Sequence, residues 1–537
     1  MLWHRWRTRK LFSRAALTVA IVISVGGATA RATSAAGPFV RAAASGGTLV
    51  GGFDVGPSGS PGKFNPLTDG AGYTWLMKYY SPLLTYDATF RKLQGELATS
   101  WDVSPDGLRY TFHLRKGVTW HDGQPFTSKD VQFTINLVKN PDSASGYITR
   151  FRDVTAVLTP DPQTAVITLK QPNAALLDAL TFIVMVPQHQ LASISPKNLV
   201  KSNIWYTNPI GTGPFKWSKY VTGQYVELVA NDHYWRGRPK LDKLINRYFK
   251  DPSGALIALR AGEIQFTYVT ASNAATLQHD PSFRVIAAPS QILNYIGFNL
   301  RDRRFQDLRV RQAFMYAIDR QAIVGQVLKQ GSVAACSFSN PAYVPEGLNA
   351  YAQNIARAKS LLQQAHWDTI KGAPIEVVTY YNDQTNLNAL TVVQQELAQV
   401  GINITIRTVD TVTYGQISGG NNWSMLYAGA LTGPDPDAVG IYLISSATPP
   451  NGTNLDHLNI PAVDQGFAQG RRETNPAKRA VHYQDVCRAI NAQVPIAPMW
   501  IQLRYGAVST KVSHFIWTPA PGGGRYYDAA QDWSLGQ

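Results

Sequence analysis

Residues 97–134 read LATSWDVSPDGLRYTFHLRKGVTWHDGQPFTSKDVQFT, and strand, turn and helix signals follow one another along this stretch. From Arg109 to Arg115 the side chains alternate. Tyr110, Phe112 and Leu114 fall on one face and Arg109, Thr111, His113 and Arg115 on the other, which predicts a half-buried strand. The SPDG before it puts Pro105 at the second and Gly107 at the fourth position of a turn. After Lys116 and Gly117, VTWHDGQPF reads as a second short extended piece. His121 beside Asp122 has the look of an acid/base pair, but an Asp-Gly turn accounts for Asp122 and Gly123 without any catalytic duty. TSKDVQFTINLVK then opens a helix, with Thr127 or Ser128 offering an oxygen to the free amides and Asp130 in the first turn.

Outward from this stretch, the chain has 537 residues, more than one hydrophobic core usually holds, so two or more lobes are expected. Hydrophobic residues make up 45% and charged residues 16%, which places it among folded globular chains. GTLVGGF near residue 48 reads as a first strand. Helical spacing in DLRVRQAFMYAIDRQAIVGQVL (307–328) predicts one packed helix, and NIARAKSLLQQA (354–365) another. The strand IEVVTYY, the helix NLNALTVVQQELAQVG and the strand INITIRTV follow, an order that indicates an α/β lobe with parallel pairing.

The N-terminus carries five basic residues and no acid before Ala15, then an apolar run to Val25 and the small triplet Ala28, Thr29, Ala30. That layout predicts an export signal over residues 1–30, cut before Arg31, with a flexible leader over 31–47; an uncleaved N-terminal anchor is the alternative. The net charge of +15 falls to 15 − 5 = +10 on removing Arg5, Arg7, Arg9, Lys10 and Arg14. The remaining charges are scattered and form no stripe, so no nucleic-acid partner is expected. The two cysteines, Cys336 and Cys487, have the option of pairing outside the cytoplasm; spacing alone does not decide it.

Signs of catalysis and cofactors are sparse. No two of the ten histidines stand at the spacing of a helix-borne metal site, so no metal and no cofactor are expected. A G-x-S-x-G nucleophile elbow does not occur. The stretch at 54–63 departs from a phosphate loop, with Pro57 where glycine is needed and Phe64 after Lys63. Asp435 and Asp437 in GPDPD suit a glycosidase pair in principle, yet their prolines read equally well as a rigid loop.

The opening stretch closely resembles the signature of bacterial extracellular solute-binding protein family 5, the dipeptide/oligopeptide-binding proteins of ABC transporters. The resemblance continues in order through NPIGTGPFKWSKYVTGQYVELVANDHYWRGRPKLDKL (208–244), ALRAGEIQF (258–266), YIGFNLRDRRFQDLRVRQAFMYAIDRQAIV (295–324) and YAQNIARAKSLLQQA (351–365). It implies an α/β, two-lobed fold of the periplasmic-binding-protein type II, in the large peptide-binding subclass. Lobe I would span 45–294 with an extra subdomain at about 81–204, lobe II 295–499, and residues 500–537 would return to lobe I. The two crossings, near Tyr295 and near Met499 and Trp500, would form the hinge.

The resemblance further implies a monomeric, exported receptor, periplasmic or at the cell surface, with no catalytic residues. It would capture a peptide or another small polar solute and deliver it to the permease and ATPase subunits of an ABC importer. The candidate ligand-binding residues are Tyr73, Trp75, Tyr295, Asn299, Tyr427, Thr432, Asp435 and Trp500. Peptide-binding members carry a Gly-Trp pair and an aspartate, which meets the peptide's amino terminus, before their Asp-Pro-Asp. Here LYAGALTGPDPDA has Ala430 at the tryptophan position and no acid before Asp435, which opens the cargo to sugars, opines and other polar solutes unless Asp435 takes that role. Two other readings stand beside the receptor: a secreted hydrolase acting through His121, Asp122 or the Asp435 and Asp437 pair, and a ligand sensor.

Overall fold

Two long strands, Phe283–Phe298 and Ile496–Ser509, run antiparallel to each other and organise everything else. Both are largely apolar, and over Leu293–Phe298 and Ile496–Ile501 both faces are buried. In the computed structural model, which describes residues 46–53, 64–68, 73–420, 422–449, 452–518 and 527–536, they lie at the middle of an 11-stranded mixed sheet. The predicted export signal, the leader up to residue 45 and the loop 54–63 fall outside the described residues.

On one side of the pair the sheet continues through Phe266–Val269, Thr48–Gly52, Lys243–Arg247, Tyr225–Ala230 and Phe215–Val221. On the other it continues through Met425–Leu431, Ile375–Thr379 and Ile404–Thr408. The last three pair in parallel, as expected of strands linked by helices, here Gln384–Ala398 between Ile375–Thr379 and Ile404–Thr408.

Hydrophobic packing separates along the chain in the same way. One core draws on residues from Leu49 to Phe266 and again from Val508 to Trp533. Two further clusters, one on each face of the Met425–Leu431 side of the sheet, use residues between Leu293 and Ile501. Connectivity then leaves only the two long strands to run between the N-terminal core and the central one. Their pairing is irregular midway. Pro289 faces Leu503 and Leu293 faces Ile501, so Ser290, Gln291 and Ile292 stand opposite Gln502 alone, and Gln291 takes a left-handed φ of 55°.

The N-terminal core includes a four-stranded antiparallel sheet of Ala98–Val103, Arg109–Leu114, Thr164–Leu169 and Val154–Asp161. Tyr110, Phe112 and Leu114 are buried as the alternation predicts, and Gly107 closes the preceding turn with φ 67° and a bond from its N–H to the Ser104 carbonyl. The helix spans Ser128–Lys139, with the Asp130 carboxylate accepting from the Thr127 N–H at 2.8 Å.

Two expectations need correction. VTWHDGQPF does not form a strand: Trp120 bonds Gln124 and Gly123 bonds Trp120 through the backbone, so the chain reverses after a single bridge between Thr119 and Pro125. The helix expected over 307–328 is broken. It runs Leu308–Ala317, turns extended at Ile318, and resumes at Arg320 because the Asp319 carboxylate accepts from the Ala322 N–H at 2.9 Å and starts a new helix. The break sends the Arg320 guanidinium inward to the carbonyls of Ala334 and Pro498. Cys336 and Cys487 form a disulfide within the central core. Among the described residues no helix is long and apolar enough to cross a membrane.

Candidate functional site

Side-chain alternation sorts the central sheet's tyrosines to opposite faces. Leu293 and Tyr295, with Leu426, Ala428 and Ala430, face the cluster that contains the disulfide, whereas Ile296, Phe298, Met425 and Tyr427 face the other. On the disulfide side a narrow pocket lies between the sheet and the short helix Gly440–Leu443. Tyr295, Ala430, Ser337, Tyr442 and Asp456 line it among aliphatic neighbours.

The carboxyl of Asp456 is the most unusual group in this pocket. It is 3% exposed, its Oδ1 has no hydrogen-bond partner, and burial pushes its pKa up to about 8 against a small opposing effect of its own N–H. It lies over the backbone at Gly297, where a Cβ would collide with Oδ1. Burial, and next the nearby Asp456 charge, push the Tyr295 phenol up. Tyr414 and Ser337 also carry buried hydroxyls with no partner. Nothing in the reading of the sequence singled out Asp456, Tyr442 or Ser337. The one available signal was an acid set in TNLDHL, between Leu455 and Leu458 and without a turn glycine beside it.

Of the eight candidate residues, Tyr295 alone lines this pocket. Tyr427 is fully buried on the opposite face, donating its hydroxyl to Asn386 Oδ1 at 2.7 Å and packing 6.0 Å from the Trp500 ring. Trp500 is equally buried. Asn299 holds backbone, with Nδ2 donating to the Trp423 carbonyl at 2.7 Å and Oδ1 accepting from the Arg301 N–H. Thr432 ties the end of its strand to the midway irregularity: its N–H and its hydroxyl both donate to the Gln291 carbonyl, each at 2.9 Å. Asp435 receives Arg479 through two bonds of 2.6 and 2.9 Å, and Asp437 receives Arg471 at 2.7 Å. Burial is the largest effect on Arg479 and works against its charge, but Asp435, Tyr483 and Tyr343 together outweigh it, so its pKa is raised. Tyr73 and Trp75 belong to the helix Tyr73–Tyr79, and their side chains fall outside the described residues.

His121 and Asp122 serve the turn. The Gly211 N–H donates to His121 Nδ1 at 3.1 Å, so the proton sits on Nε2, which donates to the Gly213 carbonyl at 3.1 Å. Both ring nitrogens are thereby used, and burial lowers the pKa to about 4. Asp122 accepts from the Gln124 N–H and meets His189 at 2.7 Å.

The two cores meet near the pocket. The Ala174 N–H donates to the Arg471 carbonyl at 2.7 Å. Arg471 is also within electrostatic reach of Asp153, and Tyr442, at the pocket, is within reach of Arg150. Arg150 itself pairs with Asp178 at 3.5 Å.

A mixed α/β fold with two packed bodies on a shared sheet, and an aromatic pocket close to where they meet, defines a two-lobed binding protein. Residues 92–452 match bacterial extracellular solute-binding proteins, family 5. A Brucella melitensis protein provisionally named an ABC transporter peptide-binding protein is 47% identical over 98% of this chain and 99% of its own length. The glutathione-binding protein GsiB of Salmonella choleraesuis is 29% identical over 83% of this chain and 87% of its own. The crystal structure of the ABC transporter substrate-binding protein CtaP of Listeria monocytogenes superposes with a TM-score of 0.82 at 27% identity, covering 91% of this chain and 99% of that one. The chain belongs to family 5 of the bacterial extracellular solute-binding proteins. It is a solute-binding receptor of the ABC importer class, for peptides or other solutes.

Proposed function

We propose that the protein acts outside the cytoplasm, closing two lobes about a peptide or similar small polar solute and releasing it unchanged to the permease and ATPase subunits of an importer. Lobe I is residues 45–294 with its subdomain at about 81–204 and the returning tail 500–537; lobe II is 295–499. Flexing is assigned to the irregular stretch at Ser290–Ile292 and to Gln502 opposite it, a few residues from Tyr295 and Trp500. One observation carries the reading. Two separately packed cores, joined by only two strands, touch through the Ala174 to Arg471 bond, a contact that closure makes and opening breaks.

Ligand drives such a motion only by contacting both lobes in one state and fewer groups in the other. A cargo lodged beside Tyr442 and reaching toward Arg150 meets that condition. Engagement of His121, Asp122, Asp435 and Asp437 by structural partners supports binding without catalysis. The test is solution scattering of cargo-free protein with and without a peptide mixture, alongside mass analysis of the recovered peptides. Compaction with unaltered peptides is expected; an unchanged radius of gyration together with cleaved peptides overturns the reading.

A further inference from the structure

Where the two cores touch, each brings a backbone group that its own secondary structure leaves over. Helix Pro461–Arg472 ends at Glu473, and an α-helix leaves its last four carbonyls without partners along its own axis. The Arg471 carbonyl is one of them, because the Asn475 N–H, which a longer helix would turn to it, donates to Glu473 Oε1 at 2.8 Å. Across the seam Asn173 starts a turn. The Leu176 N–H donates to the Asn173 carbonyl at 3.1 Å and the Ala175 N–H to Asn173 Oδ1 at 3.2 Å. Ala174 holds the second position of that turn, where the N–H points outward. It donates to the Arg471 carbonyl at 2.7 Å, so each core satisfies a leftover group of the other.

Both sides are held rigid by their own bonds. The Asn173 carbonyl also accepts from the Tyr110 hydroxyl at 3.2 Å and Asn173 Nδ2 donates to Asp153 at 3.2 Å, which fixes the corner to the four-stranded sheet. Facing it, Arg479 Nε donates to the Gly470 carbonyl at 2.9 Å and Arg471 Nε to Asp437 at 2.7 Å. Preformed surfaces lose little entropy on docking, so a small contact keeps most of its strength. The fit is also close: a Cβ on Gly107 would stand 3.1 Å from Pro172 and 3.3 Å from the Thr474 methyl. Asp153 lies within electrostatic reach of Arg471, opposite charges that favour the approach. None of Gly107, Pro172, Ala174, Arg471 and Thr474 lines the aromatic pocket, so the strength of the seam is independent of what the pocket holds. We propose that the extra subdomain is a latch: its corner at 172–174 grips the end of helix Pro461–Arg472 and holds part of the cargo-free population closed, so that every cargo gains the same factor in affinity. This rests on the two-lobed receptor reading above and adds to it a closing force that does not come from cargo.

Solution scattering of the cargo-free exported chain tests it. Proline suits the second position of a turn and has no N–H, so Ala174→Pro keeps the turn and removes the crossing bond, whereas Ala174→Gly keeps both. From the other side, Thr474→Tyr wedges the seam beside Gly107. One hydrogen bond changes an equilibrium constant by about three- to tenfold. The closed-to-open ratio fitted to the scattering is therefore expected to fall by about that factor in Ala174→Pro and Thr474→Tyr and to keep the wild-type value in Ala174→Gly. Exposed to a peptide mixture below saturation, the two weakened variants are expected to retain less of every peptide, in unchanged proportions by mass analysis. Equal closed-to-open ratios in all four proteins, or altered proportions among the retained peptides, overturns the latch. Neither outcome touches the receptor reading, which falls only if wild type fails to compact with peptide or the peptides emerge chemically altered. Urea midpoints equal to wild type exclude misfolding as the cause of opening, and if the midpoint of Ala174→Pro drops, Thr474→Tyr decides.

Discussion

Replacing Asp456 by asparagine should stabilise the cargo-free protein, and by an amount that depends on pH. Burial raises the folded-state pKa of this carboxyl from the ordinary 3.8 to about 8. The native state therefore prefers the protonated form, and the sign follows. Below about pH 4 the acid is neutral in both folded and unfolded chains and costs nothing by ionisation. As pH rises toward 8 the unfolded chain releases its proton while the folded chain holds it, and stability is lost across that window. At pH 7 the loss is about 1.4 × (7 − 3.8), or about 4 kcal/mol. Asparagine has nearly the same shape and no proton to lose. The groups facing Asp456 do not disturb the difference: Tyr295, Tyr414 and Tyr442 are all pushed up and stay neutral, and His457, lowered by burial and then by Arg301, titrates alike in both proteins. Urea unfolding of both, followed by tryptophan fluorescence at several values between about pH 4 and pH 8.5, measures it. Near-equal stability at the acid end and a widening advantage for the variant are expected. A gap that is constant with pH, or a variant less stable at pH 7, refutes the argument that Asp456 is buried without a partner.

Other perturbations separate structural from ligand-facing residues. Arg479→Ala leaves Asp435 buried without its guanidinium and should cost about 3–5 kcal/mol, read as a fall in the urea midpoint. Changing Cys336 and Cys487 together to serine removes a link spanning 151 residues of sequence, and the melting temperature should drop by an amount corresponding to about 2–5 kcal/mol. His121→Ala should lower stability by about 1–3 kcal/mol through the lost Gly211 and Gly213 bonds while peptide affinity, by calorimetry, stays the same. Thr432→Val frees the Gln291 carbonyl from the hydroxyl and should change the rate of cargo release in stopped-flow fluorescence with less than about a 2 kcal/mol loss of stability.

Local rules carried far along this chain. Period-two alternation located the buried face of Arg109–Leu114, turn chemistry located Gly107 and Gly123, and the Ile375–Thr379 strand, the following helix and Ile404–Thr408 appeared in the order that forces parallel pairing. They failed where a distant partner intervened. The helix expected through 307–328 breaks at Ile318 and restarts on the Asp319 cap, and the break carries Arg320 to carbonyls at Ala334 and Pro498, the second 178 residues away. Among the candidate residues, Tyr295 and Tyr427 are both aromatic, both central, and indistinguishable by composition; the faces of one sheet divide them.

Segment identities, the order of strands and helices and the family's successive blocks are properties of neighbours along the chain, and the sequence alone determined them. Which acid is neutralised and which is left open is a property of neighbours in space. Asp435 was the natural choice by position, yet Arg479, 44 residues on, folds back onto it, while Asp456 is carried over Gly297 with nothing to meet it. A carboxyl's charge state and availability depend on desolvation and on partners within a few ångströms, and only the tertiary structure brings those together.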